Sequence, residues 1–261
     1  MPEGHTLHRL ARRLGRDLVG RPVRVSSPQG RFAAGAAEID GDVPRAIDAH
    51  GKHLLATFDS GTTLHVHLGL FGKMGRRCDA EAEPRGAVRL RLATERVAWD
   101  LRGPTACRLI GDGEREHLLA RLGPDPLRPG DDPGEALERI GRSRRAIGDL
   151  LLDQSLIAGI GNVYRAEILH LAGIPPQRPG RETTDAERRE LWDLAVRLMR
   201  EGERSGRIVT VPQPDPDGRR LHVYRREECA TCGGPVAREQ LGGRPAHWCP
   251  ACQPERARAA A

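Results

Sequence analysis

Apolar residues near the start of the chain recur at helical spacing. Arginines fill the positions between them, so one face of this segment is apolar and the other is charged. The apolar positions are Leu7, Leu10, Ala11, Leu14 and Leu18. The pattern predicts an amphipathic helix over Glu3–Leu18, which ends before the Gly-Arg-Pro of residues 20–22.

Between Val23 and Leu109 the pattern changes to short β-like runs, separated by glycine, proline and aspartate. The clearest runs are His53–Phe58, Thr63–Leu68, Ala87–Leu92, Arg96–Leu101 and Ala106–Ile110. Short runs at this spacing are typical of an antiparallel sheet closed on itself or packed on a second one. This part of the chain is therefore predicted to form a β-sandwich or barrel.

The pattern becomes helical again after a stretch rich in proline and glycine that ends near Gly134. Four helices are predicted, over Pro133–Ile140, Ala146–Leu152, Asn162–Leu171 and Ala186–Arg204. The polar, glycine-rich and proline-rich residues Ser205–Arg220 are predicted to form a loop, and the tail Glu255–Ala261 is expected to fray.

Length and composition favour a globular protein of two domains, or of one domain with a small appendage. The chain has 261 residues, of which 38% are hydrophobic. No window approaches 18 consecutive apolar residues, and the N-terminus lacks the apolar core of a secretory signal, so a cytoplasmic protein without a membrane span is expected.

The net charge of +6 is compatible with a polyanionic partner but does not require one. The eight aromatic residues are too few to favour a single-strand binder built on stacked bases. Lys52 and Lys73 are the two lysines among 42 basic residues. Lys52 follows a glycine at a predicted turn into a strand, where a lysine is usually only solvated, so its position alone does not indicate a function.

Four cysteines near the C-terminus have the spacing of a zinc site. Cys229 and Cys232 form one C-x2-C pair, and Cys249 and Cys252 form a second pair sixteen residues later. Four thiolates leave no open coordination position, so one structural Zn²⁺ is predicted. The alternative is a pair of disulfides, which an intracellular setting disfavours. Cys78 and Cys107 are isolated and are expected to be ordinary thiols.

The second residue is a candidate nucleophile. Removal of the initiator methionine would expose the secondary amine of Pro2, and the positive end of the predicted helix would lower its pKa. Such an amine can attack a sugar C1′ to form an iminium, with the neighbouring Glu3 transferring protons. The alternative is that proline and an acidic residue merely favour a helix start.

A glycine-rich motif lies between two predicted helices, at residues 150–169. Its Gly-Ile-Gly-Asn turn could bind a phosphate through backbone amides, with Asn162 as a further donor. An ordinary corner between two helices fits the pattern equally well. The motif lacks the third glycine and the preceding strand of a dinucleotide site, so no nucleotide cofactor is expected.

These motifs occur together over nearly the whole chain. They are PEG at residues 2–4, GKHLL at 51–55, HLGLFG at 67–72, RLGPDPL at 121–127, LLLDQSLIAGIGNVYRAEIL at 150–169, and CATCG with GRPAHWCPACQ within 229–253. In this order they resemble the formamidopyrimidine-DNA glycosylase/endonuclease VIII family of bacterial base-excision repair enzymes.

The resemblance implies an α+β multidomain fold with DNA held in a basic cleft. Residues 1–112 would form an N-terminal β-sandwich domain with an N-terminal helix. Residues 113–218 would form a helix-two-turn-helix domain, and residues 219–261 a four-cysteine zinc finger and tail. It also implies a monomer that binds damaged DNA in the cytoplasm, where the enzyme would associate with the nucleoid.

By the same resemblance, eight residues have roles in catalysis or DNA binding. Pro2 is expected to be the Schiff-base nucleophile, Glu3 the acid and base at the sugar, Lys52 a phosphate contact and proton donor, and Arg244 a phosphate contact that assists δ-elimination. Arg121 and Asn162 are expected to contact the DNA backbone, and Leu70 and Phe71 to fill the space left by a flipped base.

Several positions favour the endonuclease VIII branch, which acts mainly on oxidised pyrimidines. The PEG start and the finger sequence resemble that branch, and Gly148 stands where the oxidised-purine branch has a lysine. Gly69, however, stands where endonuclease VIII carries a glutamine. The function predicted is a bifunctional glycosylase and AP lyase. The alternatives are an oxidised-purine glycosylase of the same fold and a non-catalytic zinc-finger DNA-binding protein.

Overall fold

The computed structural model describes residues 2–213 and 218–255. The chain divides into two compact units, one up to Arg121 and one from Leu122 onward. Parts of two predicted segments, residues 214–217 of the loop and 256–261 of the tail, lie outside the described residues. The division into three domains stays a prediction.

The first unit contains two four-stranded antiparallel sheets and three helices. One sheet has the strand order β1-β6-β7-β5 and the other the order β2-β3-β4-β8. The strands are β1 (Arg24–Ser26), β2 (Pro44–His50), β3 (His53–Phe58), β4 (Thr63–His67), β5 (Lys73–Arg77), β6 (Val88–Ala93), β7 (Ala98–Arg102) and β8 (Ala106–Ile110). The helices are α1 (Gly4–Leu18), α2 (Ala33–Glu38) and α3 (Asp112–Ala120).

One hydrophobic core joins both sheets and α1, which confirms the predicted β-sandwich. Leu54 and Val66 of one sheet lie in the same buried cluster as Leu90 and Trp99 of the other. The predicted apolar face of α1 also lies in this cluster. Helix α3 packs separately, because its Leu118 contacts a small buried cluster on the outer face of the second sheet.

The strands and helices missing from the sequence prediction bury little apolar surface. Strands β1, β2 and β5 all lie at sheet edges. Helix α2 has six residues and buries Ala36 alone among them. The predicted strands are present, with ends that differ by no more than two residues from the prediction.

The second unit is helical up to a short C-terminal hairpin. Its helices are α4 (Gly134–Gly141), α5 (Ile147–Leu150), α6 (Asn162–Leu171) and α7 (Asp185–Ser205), with one turn of 3-10 helix at Gly180–Glu182. The hairpin consists of β9 (Ala237–Leu241) and β10 (Arg244–Trp248). All four predicted helices are confirmed, although α5 is three residues shorter than predicted.

Two features fix the ends of the longest helix, α7. At its start the Thr184 side chain accepts from the backbone N–H of Glu187, and the Glu187 carboxylate accepts from the backbone N–H of Thr184. At its end Gly206 adopts a left-handed conformation with φ of 77°. Helix α7 packs on α4 and α6, which build the core of this unit.

Among the described residues, no helix is both long enough and apolar enough to cross a membrane.

Candidate active site and zinc site

The candidate nucleophile lies just before the first helix. Helix α1 begins at Gly4, and Glu3 is its N-cap residue with an extended backbone at φ −126° and ψ −178°. Pro2 is half-buried and precedes the cap, while Glu3 is fully buried at 0% exposure. Helix α1 therefore starts one residue later than the sequence predicts.

This geometry disfavours the alternative that Pro2 and Glu3 only favour a helix start. Proline stabilises a helix at its first helical position, but here that position belongs to Gly4. The Glu3 side chain makes no capping hydrogen bond, and no acidic residue lies in the first turn. The burial of this carboxyl group is thus not explained by helix capping.

Lys52 lies in a two-residue hairpin turn between β2 and β3. The last pair of the hairpin joins His50 to His53, which leaves Gly51 and Lys52 in the turn. Gly51 has a φ of 56°, as the first position of such a turn requires in type II′. The lysine is half-buried, so it is held at one end of the sheet.

The packing of α1 directs Pro2 toward the same end of the sheet. The helix packs along β2, and at its C-terminal end the N–H of Gly20 donates to the carbonyl of Pro44 at the start of β2. A 15-residue helix is about 22 Å long, similar to a seven-residue strand of about 24 Å. The start of α1 therefore extends toward the end of β2, where Lys52 follows.

A cluster of histidines lies beside Lys52. His53 Nδ1 is 2.8 Å from His65 Nε2, and the ring centroids of His53 and His67 are 5.0 Å apart. Burial, helped by the neighbouring histidines, lowers the pKa of His53 to about 3. Burial and then Arg108 lower the pKa of His65 to about 4. These rings are therefore neutral at neutral pH.

The predicted DNA contact Arg121 lies near this cluster. It is the C-cap residue of α3 and is exposed. Its positive charge contributes to the lowered pKa of His53, after burial and the neighbouring histidines. The structure thus places Arg121 and Lys52 near the same end of the second sheet.

The two residues predicted to fill the space left by a flipped base, called the wedge residues below, are strongly exposed. Leu70 is 54% exposed and Phe71 is 83% exposed, and they are the exposed large hydrophobic residues of the part of the chain that the structure describes. They lie three and four residues after the end of β4, whose last residue His67 pairs with His53 at the start of β3. Lys52 precedes His53, so the wedge residues and Lys52 also lie at one end of the sheet.

In the second unit, Gln154 organises the turn before α6. Its side-chain amide donates to the carbonyls of Leu152 and Ile160, and its Oε1 accepts from the N–H of Gly159 at 3.0 Å. Gly159 has a φ of 95°, a conformation that favours glycine. The turn positions the N-terminus of α6, which begins at Asn162.

The predicted DNA contact Asn162 is buried against the C-terminal hairpin. Its Nδ2 donates to the carbonyl of Pro245 at 3.0 Å, and Arg165 donates to the same carbonyl at 2.9 Å. Arg165 is also buried and lies 3.4 Å from the carbonyl of Leu241. The start of α6 therefore holds both strands of the hairpin, while a contact of Asn162 with DNA stays a prediction.

Arg244 is exposed at the start of β10. The hairpin turn preceding it consists of Gly242 and Gly243, with φ of 59° and 73°, as a type I′ turn requires. Since Pro245 is held by α6, the backbone that carries Arg244 is fixed while its side chain reaches solvent.

The four C-terminal cysteines form one cluster, and their Sγ atoms all lie within 4.8 Å of one another. Cys229 Sγ is 3.9 Å from Cys252 Sγ, and Cys232 Sγ is 3.5 Å from Cys249 Sγ. A tetrahedral zinc with Zn–S bonds of about 2.3 Å separates its sulfurs by about 3.8 Å, whereas a disulfide needs about 2.05 Å. The donor set fits one structural Zn²⁺, and the prediction is confirmed over the disulfide alternative.

The other two cysteines differ in their surroundings. Cys107 packs against the core of the first unit, and burial raises the pKa of its thiol to about 12. Cys78 is exposed, with Arg76 donating to its sulfur at 3.2 Å. Neither contributes to the zinc cluster.

Gly69 and Gly148, where the two branches are expected to carry larger side chains, are both enclosed. A Cβ at Gly148 would lie 2.8 Å from the Leu241 side chain and 3.0 Å from the carbonyl of Pro176. A Cβ at Gly69 would lie 1.8 Å from Thr105 Oγ1. A lysine at position 148 or a glutamine at position 69 therefore requires a local rearrangement.

Sequence reasoning missed several buried polar residues of the second unit. The Glu167 carboxylate accepts from the backbone N–H groups of His222, Val223 and Tyr224 and from the hydroxyl of Thr210. Gln253 Nε2 donates to the carbonyl of Ile174 at 2.7 Å and its Oε1 accepts from the N–H of Cys249. Both Glu167 and Gln253 lie inside motifs that the sequence analysis identified, and this was the signal available for them. Their hydrogen-bond partners, however, lie far away in sequence.

Comparison with known families covers most of the chain. Residues 1–107 match the formamidopyrimidine-DNA glycosylase N-terminal domain, and residues 122–212 match the formamidopyrimidine-DNA glycosylase H2TH domain. Residues 226–254 match a zinc finger found in FPG and IleRS.

Curated relatives include both branches. Endonuclease 8 1 of Mycobacterium tuberculosis is 49% identical, over 97% of this chain and 100% of the relative. Probable endonuclease 8 2 of Streptomyces coelicolor is 34% identical over 97% and 94%. Formamidopyrimidine-DNA glycosylase of Desulfitobacterium hafniense is 32% identical over 97% and 98%.

Solved structures share the fold. Formamidopyrimidine-DNA glycosylase of Lactococcus lactis, non-covalently bound to DNA containing an AP site, matches with a TM-score of 0.80. The identity is 23%, over 97% of this chain and 100% of that one. Taken with the sequence relatives, these matches show that the chain belongs to the formamidopyrimidine-DNA glycosylase/endonuclease VIII family of DNA glycosylases with AP lyase activity.

Proposed function

We propose that this chain removes oxidised bases, mainly pyrimidines, from damaged DNA and then cleaves the strand by β,δ-elimination. The observation that carries the proposal is the environment of Pro2 and Glu3. Glu3 is fully buried without a capping role, and the packing of α1 along β2 directs the half-buried Pro2 toward the end of the sheet where Lys52 lies.

The first step assigns a bond-forming role to Pro2. With Met1 removed and the base flipped out of the stack, the neutral Pro2 nitrogen bonds to C1′ as the glycosidic bond breaks, and the departing base takes the bonding electrons and the proton that the Pro2 nitrogen loses. Glu3 donates a proton at the ring oxygen as the sugar opens, which leaves an iminium between Pro2 and C1′. Burial of Glu3 keeps its carboxyl group away from bulk water.

The iminium then permits strand cleavage. Its positive charge makes the C2′ proton acidic, so loss of that proton expels the 3′ phosphate, and a second elimination expels the 5′ phosphate. Lys52 binds a phosphate and supplies a proton in the first elimination. Arg244 binds a phosphate and assists the second. Hydrolysis of the iminium releases Pro2.

The second unit contributes DNA binding. Bound Zn²⁺ supplies structural support by holding the four thiolates together, with no coordination position left for a reactant. Exposed Arg244 and the backbone N–H groups at the start of α6 are the DNA-binding groups we propose here. We further propose that the protein acts as a cytoplasmic monomer without a nucleotide cofactor.

Two observations favour pyrimidine lesions over the oxidised-purine alternative. The Mycobacterium tuberculosis relative at 49% identity is an endonuclease 8, whereas the formamidopyrimidine-DNA glycosylase relative is 32% identical. In addition, Gly148 is enclosed by Leu241 and Pro176, so the lysine expected in the purine branch would require these neighbours to shift.

Borohydride trapping on a panel of lesions tests the proposal. Duplexes containing thymine glycol, 8-oxoguanine or an abasic site are incubated with wild-type, Pro2→Gly and Glu3→Gln enzyme, and the covalent product is quantified. We expect thymine glycol to be preferred, Pro2→Gly to lose most of the product, and Glu3→Gln to lose at least about 100-fold in base excision.

Each alternative has its own outcome. A preference for 8-oxoguanine would support the oxidised-purine alternative. DNA binding without any trapped product would support the non-catalytic zinc-finger protein. Equal trapping by Pro2→Gly would contradict the assignment of the nucleophile.

A further inference from the structure

The wedge residues, Leu70 and Phe71, are carried by a compact turn that begins at the buried Leu68. The N–H of Gly72 donates to the carbonyl of Leu68 at 2.9 Å, which closes the turn around Leu70 and Phe71. Both side chains are exposed, so they contribute little to holding the turn in place. The turn is therefore held at its two ends, by burial of Leu68 in the core and by hydrogen bonds.

His67 provides such a bond at the start of the turn. Its Nδ1 accepts from the N–H of Gly69 at 3.1 Å, and its own carbonyl accepts from the N–H of Thr105 at 2.9 Å. Gly69 has a φ of 64°, and Thr105 occupies the space that a side chain at position 69 would need. The imidazole thus bonds to the backbone N–H of Gly69, whose left-handed conformation turns the chain.

A ring nitrogen can accept this bond only when it carries no proton. Burial and then the positive charge of Lys52 lower the pKa of His67, which favours the neutral ring. From β3, His53 faces His67 with ring centroids 5.0 Å apart, and it is neutral as well. The surroundings of His67 therefore preserve the acceptor.

We infer that His67 is a positioning residue for the wedge: its Nδ1 fixes the turn so that Leu70 and Phe71 enter the space left by a flipped base. The inference rests on the proposed function. Because Gly69 supplies no side chain, Leu70 and Phe71 are the side chains that this turn offers to the gap, and their placement determines how well duplex DNA is held open.

Substitution of His67 by asparagine or alanine tests the inference. The Oδ1 of asparagine can accept from the N–H two residues later, as Nδ1 does here, whereas alanine offers no acceptor. The probe is a duplex with a non-cleavable tetrahydrofuran abasic analogue opposite 2-aminopurine, whose fluorescence reports unstacking when the wedge enters. A Leu70→Ala/Phe71→Ala variant defines the signal without a wedge.

We expect His67→Asn to keep most of the fluorescence change at saturating protein, and His67→Ala to populate the inserted state about fivefold less. The ratio of borohydride trapping on duplex to that on single-stranded abasic DNA should fall in parallel. Lowering the pH should reduce the fluorescence change in the wild type, because a protonated imidazole cannot accept the bond from Gly69. It should not do so in His67→Asn, because the amide oxygen of asparagine does not bind a proton at the pH of the assay.

Two results would overturn the inference. One is a wild-type signal from His67→Ala, and the other is an equal loss from His67→Asn and His67→Ala. Far-ultraviolet circular dichroism establishes that both variants are folded. The fluorescence assay needs no covalent step, so a wild type that inserts its wedge but gives no trapped product would refute the proposed function while leaving this inference standing.

Discussion

The side-chain amide of Asn162 donates to the backbone carbonyl of Pro245 at 3.0 Å, and this bond joins the first turn of α6 to the hairpin that follows the first cysteine pair. Arg165 donates to the same carbonyl. The residue after Arg244 is thus fixed by the helix that the glycine-rich turn positions. An asparagine expected to contact DNA has a structural partner inside the protein.

Asn162→Asp tests whether Asn162 supports the hairpin through Pro245 or contacts DNA. The substitution keeps the shape of the side chain but removes the donor to Pro245, and a buried hydrogen bond lost in this way costs about 1–3 kcal/mol. We expect that loss in the free energy of unfolding measured in urea. An unchanged unfolding free energy combined with weaker DNA binding would instead assign Asn162 to DNA alone.

Arg244→Ala is expected to weaken DNA binding in a salt-dependent manner. Loss of one phosphate contact reduces the slope of log K against log salt concentration by about 0.9. Fluorescence anisotropy over a salt series measures the slope. The matched control is Arg238→Ala, an exposed arginine on the neighbouring strand β9. The same reduction in both variants would argue for general charge rather than a specific contact of Arg244.

The parts of the fold that the sequence predicts are those that bury an apolar face. The leucines of α1 repeat at helical spacing because they all face one core. Strands β3 and β8 were predicted with their observed ends. The edge strand β5, in contrast, has the sequence KMGRR and buries none of its residues fully, so it leaves no apolar pattern to detect.

In the candidate site, too, some features could be predicted from the sequence and others could not. Its residues were proposed from local motifs and from the family resemblance that those motifs carry, and the cysteine spacing was sufficient to predict the zinc cluster. The bond from Asn162 to Pro245 spans 83 positions, and the one from Glu167 to Val223 spans 56. Partners so distant in sequence leave no periodic signal, because tertiary packing alone brings them together.

Asp100→Asn is expected to destabilise the first unit strongly. Asp100 is fully buried and accepts from the buried Arg91 at 2.7 Å and from the half-buried Arg102 at 3.1 Å, so its charge compensates the buried Arg91 guanidinium. Removing one partner of a buried ion pair costs about 3–5 kcal/mol. The control is Glu81→Gln in the exposed pair with Arg24, where solvent screening leaves little stability to lose. Similar losses for both, by chemical denaturation, would contradict the prediction.

The histidine cluster makes stability depend on pH below about 6.5. In the folded chain burial lowers the pKa of His53 to about 3 and that of His65 to about 4. In the unfolded chain both titrate near 6.5. As the pH falls from 6.5 toward 4, the unfolded state binds protons that the folded state does not, so the free energy of unfolding decreases.

A His53→Leu/His65→Leu variant should weaken this dependence. The double substitution removes both partners of their 2.8 Å hydrogen bond, so no buried imidazole is left without its partner. It also removes about two protons from the difference in proton binding between the unfolded and folded states. Urea unfolding between pH 7 and pH 5 measures the change while most carboxylates stay ionised. His117→Ala, at an exposed site, is the control and should follow the wild type. If the double variant lost stability with acid as steeply as the wild type, the buried rings would not be the groups responsible.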